Sequence, residues 1–324
     1  MVGGKYMYPL LLKAPLKDYL WGGRRLIDEF GFETEKEKAA EGWMLSCHKD
    51  GNSIVRNGEF AGLTLQQAIE IWGEKALGKK AADFTYFPIL IKLIDAKDRL
   101  SVQVHPNDEY ALANEGEYGK TEMWYVVDCD EDSKLIYGFN QDISQGEFLE
   151  RINNNNLSPV CNYVPVKKGD VFFIEAGTMH AIGKGILIAK VQQNSNTTYR
   201  VSDYGRLGAD GKPRQLHIKQ AVEVTKTKRP TKPYGAVGDV TLYPFGTVRE
   251  LAKCEYFTTE LIKLDGNVGI YDNDSFISLI VLDGEVTLSY TGGMMCLKKG
   301  DSLFIPAGLK IRLTGTAEIM YTHM

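Results

Sequence analysis

An eleven-residue pattern occurs twice in this chain. Lys167-Lys168-Gly169-Asp170-x-x-Phe173-Ile174-x-Ala176-Gly177 recurs as Lys298-Lys299-Gly300-Asp301-x-x-Phe304-Ile305-x-Ala307-Gly308, offset by 131 residues throughout. A period that long is wrong for a solenoid and implies two copies of one fold. Within each copy Gly-Asp supplies a turn, Phe-Ile fills a core, and Ala-Gly lets the chain bend sharply.

The segments around the repeats read as short strands at turn-rich spacing, which favours a sandwich or barrel over alternating β-α units. Phe87 to Ile94 is a nearly continuous apolar run, as in a strand buried on both faces. Asp50-Gly51 and Asn57-Gly58 are hairpin signals. Thr64 with Gln67, and Ser144 with Glu147, are capping-box pairs; they predict helices, the first running to Lys79. Thr225 to Gly238, rich in basic residues, prolines and glycines, is the best boundary. It divides the chain into residues 1–229 and 238–324.

Two stretches place a histidine on an alternating, strand-like pattern: Ser101-Val102-Gln103-Val104-His105-Pro106, and the run from Lys167 to His180. Glu122 lies between them. Imidazole nitrogen and carboxylate oxygen are the donors of a catalytic zinc that keeps one position open. We therefore read His105, Glu122 and His180 as ligands of one divalent metal, with Gln103 as a possible fourth. Residues two apart in a strand share a face, so Gln103 and His105 point the same way. The second copy lacks these donors. Ile311 stands at the position of His180, and aligning Val126-Val127-Asp128 with Val281-Leu282-Asp283 sets Ile277 opposite Glu122. The expectation is an active N-terminal barrel and an inert C-terminal one.

Composition excludes other classes. A net charge of −4 and a pI near 5.8 leave no basic excess for nucleic acid. No stretch is long or apolar enough to span a membrane as a helix. Five cysteines, none in a CxxC pair, suggest reduced thiols and a cytoplasmic location. The sequence is compatible with a monomer or a homodimer.

Gly169-(five residues)-Glu175-Ala176-Gly177-(two residues)-His180 resembles the second sequence motif of cupins, double-stranded β-helix jelly rolls that carry a metal inside the barrel. Glu175 replaces the usual proline, which Pro306 retains in the second copy. Gln103-x-His105 stands in for the first motif, with sixteen residues inserted before Glu122. The fold class implied is mainly β: two cupin barrels, with short helices inserted in and around the first.

The N-terminal two thirds further resemble a type I mannose-6-phosphate isomerase of the short form. The resemblance lies in Trp21-Gly22-Gly23, Phe87 to Asp108, Gly119 to Val126, Glu175 to His180, Thr197 to Arg206 and Arg214 to Ile218. It implies one zinc per chain at Gln103, His105, Glu122 and His180. It also implies an active-site role for Arg200, and Ser101 and Lys120 beside the phosphate of a small sugar-phosphate substrate. The implied reaction interconverts mannose 6-phosphate and fructose 6-phosphate through an enediol. One departure stands out. Family members commonly carry a glutamate ten residues before the arginine and an aspartate four before it, where this chain has Lys190 and Asn196. No carboxylate base is therefore nominated from sequence. Two rival readings are a non-catalytic sugar-phosphate-binding cupin with a structural metal, and an iron-dependent cupin oxygenase, whose two-histidine, one-carboxylate triad this chain also offers.

Overall fold

The computed structural model describes residues 6–208 and 211–324. The N-terminal strands are β1 (Leu10–Lys13), β2 (Leu16–Lys17), β3 (Glu41–Leu45), β4 (Cys47–His48), β5 (Gly51–Asn52), β6 (Ile54–Val55), β7 (Ile89–Ala96) and β8 (Val102–Val104). They continue with β9 (Glu122–Cys129), β10 (Lys134–Phe139), β11 (Cys161–Pro165), β12 (Val171–Ile174), β13 (His180–Ala181), β14 (Ile186–Gln193) and β15 (Tyr199–Ser202). The C-terminal strands are β16 (Val240–Tyr243), β17 (Gly246–Lys253), β18 (Thr258–Ile270), β19 (Ile277–Tyr290), β20 (Gly293–Lys298), β21 (Ser302–Ile305) and β22 (Ile311–His323). Helices α1 (Arg25–Asp28), α2 (Leu65–Trp72), α3 (Asp108–Asn114), α4 (Gln145–Asn153) and α5 (Ile218–Val224) are short.

Two antiparallel sheets form the first barrel. One runs β12-β9-β14-β7-β3-β2, the other β11-β10-β13-β8-β15. Ile94, Trp124, Val126, Phe172 and Ile188 of the first sheet and Leu135, Tyr137 and Val164 of the second make the apolar lining between them. The alternate residues of the six-stranded sheet point outward. Ile89, Ile91, Leu93, Met123, Tyr125 and Val191 share one buried cluster with Ile280 and Phe304 of the C-terminal sheet and with Phe257 and Phe276, which directly precede its strands β18 and β19. That sandwiching explains why β7 reads as a continuous apolar run: both of its faces are buried.

The C-terminal sheet is ordered β16-β17-β18-β22-β19-β21-β1-β6, with β20 on β19. Strands β1 and β6, from the start of the chain, thus complete the second barrel's sheet. The two repeats occupy equivalent places. Ile174 pairs with Glu122, and Ile305 pairs with Ile277. Gly177 N–H donates to His105 O at 2.8 Å, and Gly308 N–H donates to Asp272 O at 2.7 Å. Gly177 and Gly308 share positive φ (87° and 79°), a conformation that a side chain disfavours. Ile270, Ile277 and Ile311 take the places of Gln103, Glu122 and His180. Ile277 and Ile311 belong to a buried apolar cluster with Leu279, Leu288, Leu303 and Leu313.

Some local expectations need correction. The helix opened by the Thr64–Gln67 capping box stops at Trp72, because Gly73 adopts φ 77° and turns the chain into 3₁₀ segments before Lys79. Asn57-Gly58 opens a 3₁₀ turn, not a hairpin. Ser144 caps α4 by accepting from Glu147 N–H, but the Glu147 carboxylate accepts from Arg151 instead of completing the box. Among the described residues no helix is long and apolar enough to cross a membrane.

Candidate metal centre

The sixteen-residue excursion between His105 and Glu122 returns to its starting point. Asn107 caps α3 by accepting from Tyr110 N–H. After the helix, Gly119 N–H donates to Asp108 Oδ1 at 2.7 Å and Lys120 N–H donates to Pro106 O at 2.9 Å. At Gly119 an added Cβ would lie 2.4 Å from the Asn107–Asp108 backbone, so only glycine fits this closure. The closure brings His105 and Glu122 together in space. On the other side His180, on β13, pairs with Gln103, on β8.

The donor atoms of His105, Glu122 and His180 lie within 4.8 Å of one another, and all three residues are buried. The His105 and His180 ring centroids are 4.7 Å apart. His180 Nδ1 sits 2.8 Å from Thr178 O, which calls for a proton on Nδ1 and leaves Nε2 as a free lone pair. Gln103 Nε2 lies 3.4 Å from that Nε2. Both ring nitrogens of His105 are buried without a hydrogen-bond partner, and Nε2 is 3.4 Å from Glu122 Oε1. A buried imidazole left unpaired is costly; a cation among these donors would take up the lone pair of one of the two nitrogens and so lessen that cost. One oxygen of Glu122, Oε2, accepts from Trp124 Nε1 at 2.7 Å, and Trp124 also stands edge-on to His180. The donor set of two imidazoles and one carboxylate fits a divalent ion; Gln103 turns its amide nitrogen to His180 and its Oε1 to Ser101, so it would join the set only with the amide flipped.

Electrostatics prepare these groups for coordination. Burial, helped by the Lys120 charge, pushes His105 well below the ordinary histidine range. Burial likewise takes His180 down to about 4, so both imidazoles are neutral at physiological pH. Burial alone would raise the Glu122 carboxyl. The charges of Lys190 and Lys120, the largest of the opposing effects, outweigh it and hold the carboxyl well below its usual range. Lys190 Nζ is 2.9 Å and Lys120 Nζ 3.4 Å from Glu122 Oε1.

A cavity of about 280 Å³, near the lower end of the size range of small-molecule sites, lies beside this cluster and is lined by Gln103, Lys120 and Lys190, which reach His180 and Glu122. Ser101, Gln103, Lys120 and Arg200, all singled out from sequence, line it together. Ser101 Oγ is 3.4 Å from Gln103 Oε1. Arg200 is the cross-strand partner of Gln103 and is braced by its Nη1 bond to Gln215 O at 2.8 Å. Arg206, at the end of the Thr197 to Arg206 stretch, pairs with Asp203 at 2.6 Å.

Sequence reasoning missed Glu41, Lys92 and Arg214, which also line the cavity, and gave Lys190 no partner. The missing signal was legible. Lys92 and Lys190 each interrupt an apolar strand, in ILIKLI and ILIAKV, and of three Glu-x-Trp occurrences two, Glu41–Trp43 and Glu122–Trp124, fall on strands, the third, Glu70–Trp72, being in α2. The fold sets these in one row: Trp43 pairs with Lys92, Lys92 with Lys190, and Lys190 with Trp124.

The fold and site together define a cupin with a candidate divalent-metal centre in its N-terminal barrel. The family model for phosphomannose isomerase type I, catalytic domain, matches residues 10–135, and that for mannose-6-phosphate isomerase, cupin domain, matches residues 247–324. The mannose-6-phosphate isomerase ManA of Bacillus subtilis (strain 168) is 38% identical over 98% of this chain and 99% of that protein. The mannose-6-phosphate isomerase of Streptococcus mutans is 37% identical over 97% of this chain and 98% of its own length. A crystal structure of the B. subtilis mannose 6-phosphate isomerase superposes with a TM-score of 0.90, at 35% identity, over 98% of this chain and 99% of that one. The chain belongs to the type I phosphomannose isomerase family.

Proposed function

We propose that the protein interconverts mannose 6-phosphate and fructose 6-phosphate through an enediol, with one zinc ion held by His105, Glu122 and His180 and completed by Gln103. The observation that carries this reading is the unpartnered His105 imidazole, its Nε2 set against Glu122 Oε1, next to a cavity with excess positive charge. Five basic side chains line that cavity, Lys92, Lys120, Lys190, Arg200 and Arg214, against one carboxylate. The balance suits a phosphate dianion.

When bound, the ion supplies Lewis acidity toward oxygens that gain charge as the enediol forms. Arg200 holds substrate oxygens with a fork that stays protonated. Ser101 and Lys120 bind the sugar phosphate. Burial lowers Lys120 to about 7; a phosphate dianion beside it opposes that shift and keeps the ammonium charged. The protein acts as a cytoplasmic enzyme, as monomer or homodimer, on two domains spanning residues 1–229 and 238–324. A coupled assay for fructose 6-phosphate formed from mannose 6-phosphate, run with and without chelator, tests the proposal. Chelator-sensitive turnover restored by zinc is expected. Ligand binding with no turnover at any metal loading would leave the non-catalytic binding cupin instead.

A further inference from the structure

Moving a proton between C1 and C2 needs a base on the substrate side of the cavity. Glu122 is committed elsewhere: Trp124 binds one of its oxygens, while Lys190, Lys120 and the metal ligand His105 crowd the other. The carboxylate position that relatives commonly fill is Lys190 here. Among the described residues that line the cavity, Glu41 is the single carboxylate.

Its surroundings repeat those of Glu122 across the sheet, with one difference. Glu41 Oε2 accepts from Trp43 Nε1 at 2.7 Å and from Lys92 Nζ at 3.0 Å. Lys92 Nζ also sits over the Trp43 ring, 4.4 Å from its centroid. Both donors therefore use the same oxygen. Among the described residues Oε1 has no hydrogen-bond partner, yet it is not one of the sealed-off polar atoms. A carboxylate fixed by one oxygen and open at the other is oriented and ionised with a lone pair free. Lys92, Lys190 and Trp43 keep Glu41 in its charged form against the effect of burial.

Resting on the isomerase reading, we propose that Glu41 is the catalytic base, its Oε1 carrying the proton between C2 and C1. Oε1 takes the proton from C2 of the open-chain aldose. The C–H electron pair becomes the C1=C2 bond, and the carbonyl pair moves to O1, which takes up a proton from solvent water, returned to solvent when O2 gives up its own. The Glu41 carboxyl then returns its proton to C1. The C1=C2 pair forms the new C1–H bond while O2 loses its proton and closes the C2 carbonyl. Atoms and electrons balance with no redox partner. The Glu41–Trp43–Lys92 group thus does for the proton what Glu122–Trp124–Lys190 does for the metal.

The test is Glu41→Gln in the zinc-loaded full chain beside wild type. The expected result is a fall in kcat of about 10²–10⁴-fold, the usual contribution of a positioned acid-base group. Metal content and KM should stay within a few-fold, and the acid limb of the wild-type kcat–pH profile should disappear. Retained turnover within tenfold, or an unchanged acid limb, overturns the proposal and points to a role in holding Lys92 only. If Glu41→Gln fails to fold, Glu41→Asp keeps the charge but shortens its reach. That variant should lose at least tenfold in kcat with metal bound, and wild-type kcat there overturns the proposal equally. Absence of turnover in wild type is a separate outcome, which removes the isomerase reading and the base with it.

Discussion

Trp124→Phe perturbs the metal centre without touching a ligand. Phenylalanine keeps an aromatic wall beside His180 but removes the Nε1–H that donates to Glu122 Oε2 at 2.7 Å. Glu122 is fully buried, and among the described residues no other donor reaches that oxygen. A hydrogen bond to a charged group is worth about 1.5–3 kcal/mol, which corresponds to roughly a 10- to 100-fold change in a binding constant. The same range is typical of losing the outer partner of a metal ligand. Zinc affinity, measured by competition with a chromophoric chelator, should therefore weaken by about one to two orders of magnitude. Chemical denaturation in chelator checks that the variant folds, since trimming a buried indole also costs packing. A folded Trp124→Phe with unchanged or tighter zinc binding would refute the idea that this bond orients the carboxylate.

Further expectations follow from the same geometry. Arg200→Ala should lose turnover at least 100-fold while keeping its metal; metal loss by elemental analysis would show that Arg200 supports the centre instead. Ile311→Ala in the second barrel should cost about 2–5 kcal/mol of stability by denaturant titration with zinc content unchanged, because that barrel is packed and not ligating. In chelator, stability should fall as pH drops from about 6.5 to about 4.5. His180 has its folded pKa lowered to about 4 and burial holds His105 well below the ordinary histidine range, so in this window the unfolded chain binds protons that the folded chain refuses. Each histidine contributes a slope of about 1.4 kcal/mol per pH unit. His180→Gln should remove about that much, and an unaltered slope would contradict it.

The repeat carried most of the fold. Two copies of one turn-and-core pattern define two barrels, and the pairing of Ile174 with Glu122 and of Ile305 with Ile277 shows why the replacements in the second copy could be read by alignment alone. The clustering of His105, Glu122 and His180 was legible because each histidine lies on or directly after a short strand next to a recognisable turn. Glu41 and Lys92 were harder. They are 51 residues apart, and each belongs to the cavity only through sheet order, which periodicity along one strand does not encode. The lysines inside apolar runs were the visible trace, since a buried ammonium needs a carboxylate somewhere. The use of β1 and β6 to finish the second barrel left no local mark, because Leu10–Lys13 would read the same against either sheet.

The most direct test of the metal centre is anomalous diffraction at the zinc edge from crystals of the zinc-loaded protein. One peak per chain is expected inside the N-terminal barrel, about 2.0–2.2 Å from His105 Nε2, His180 Nε2 and Glu122 Oε1. A peak held by other residues, or no peak in that barrel at full zinc loading, would contradict the account.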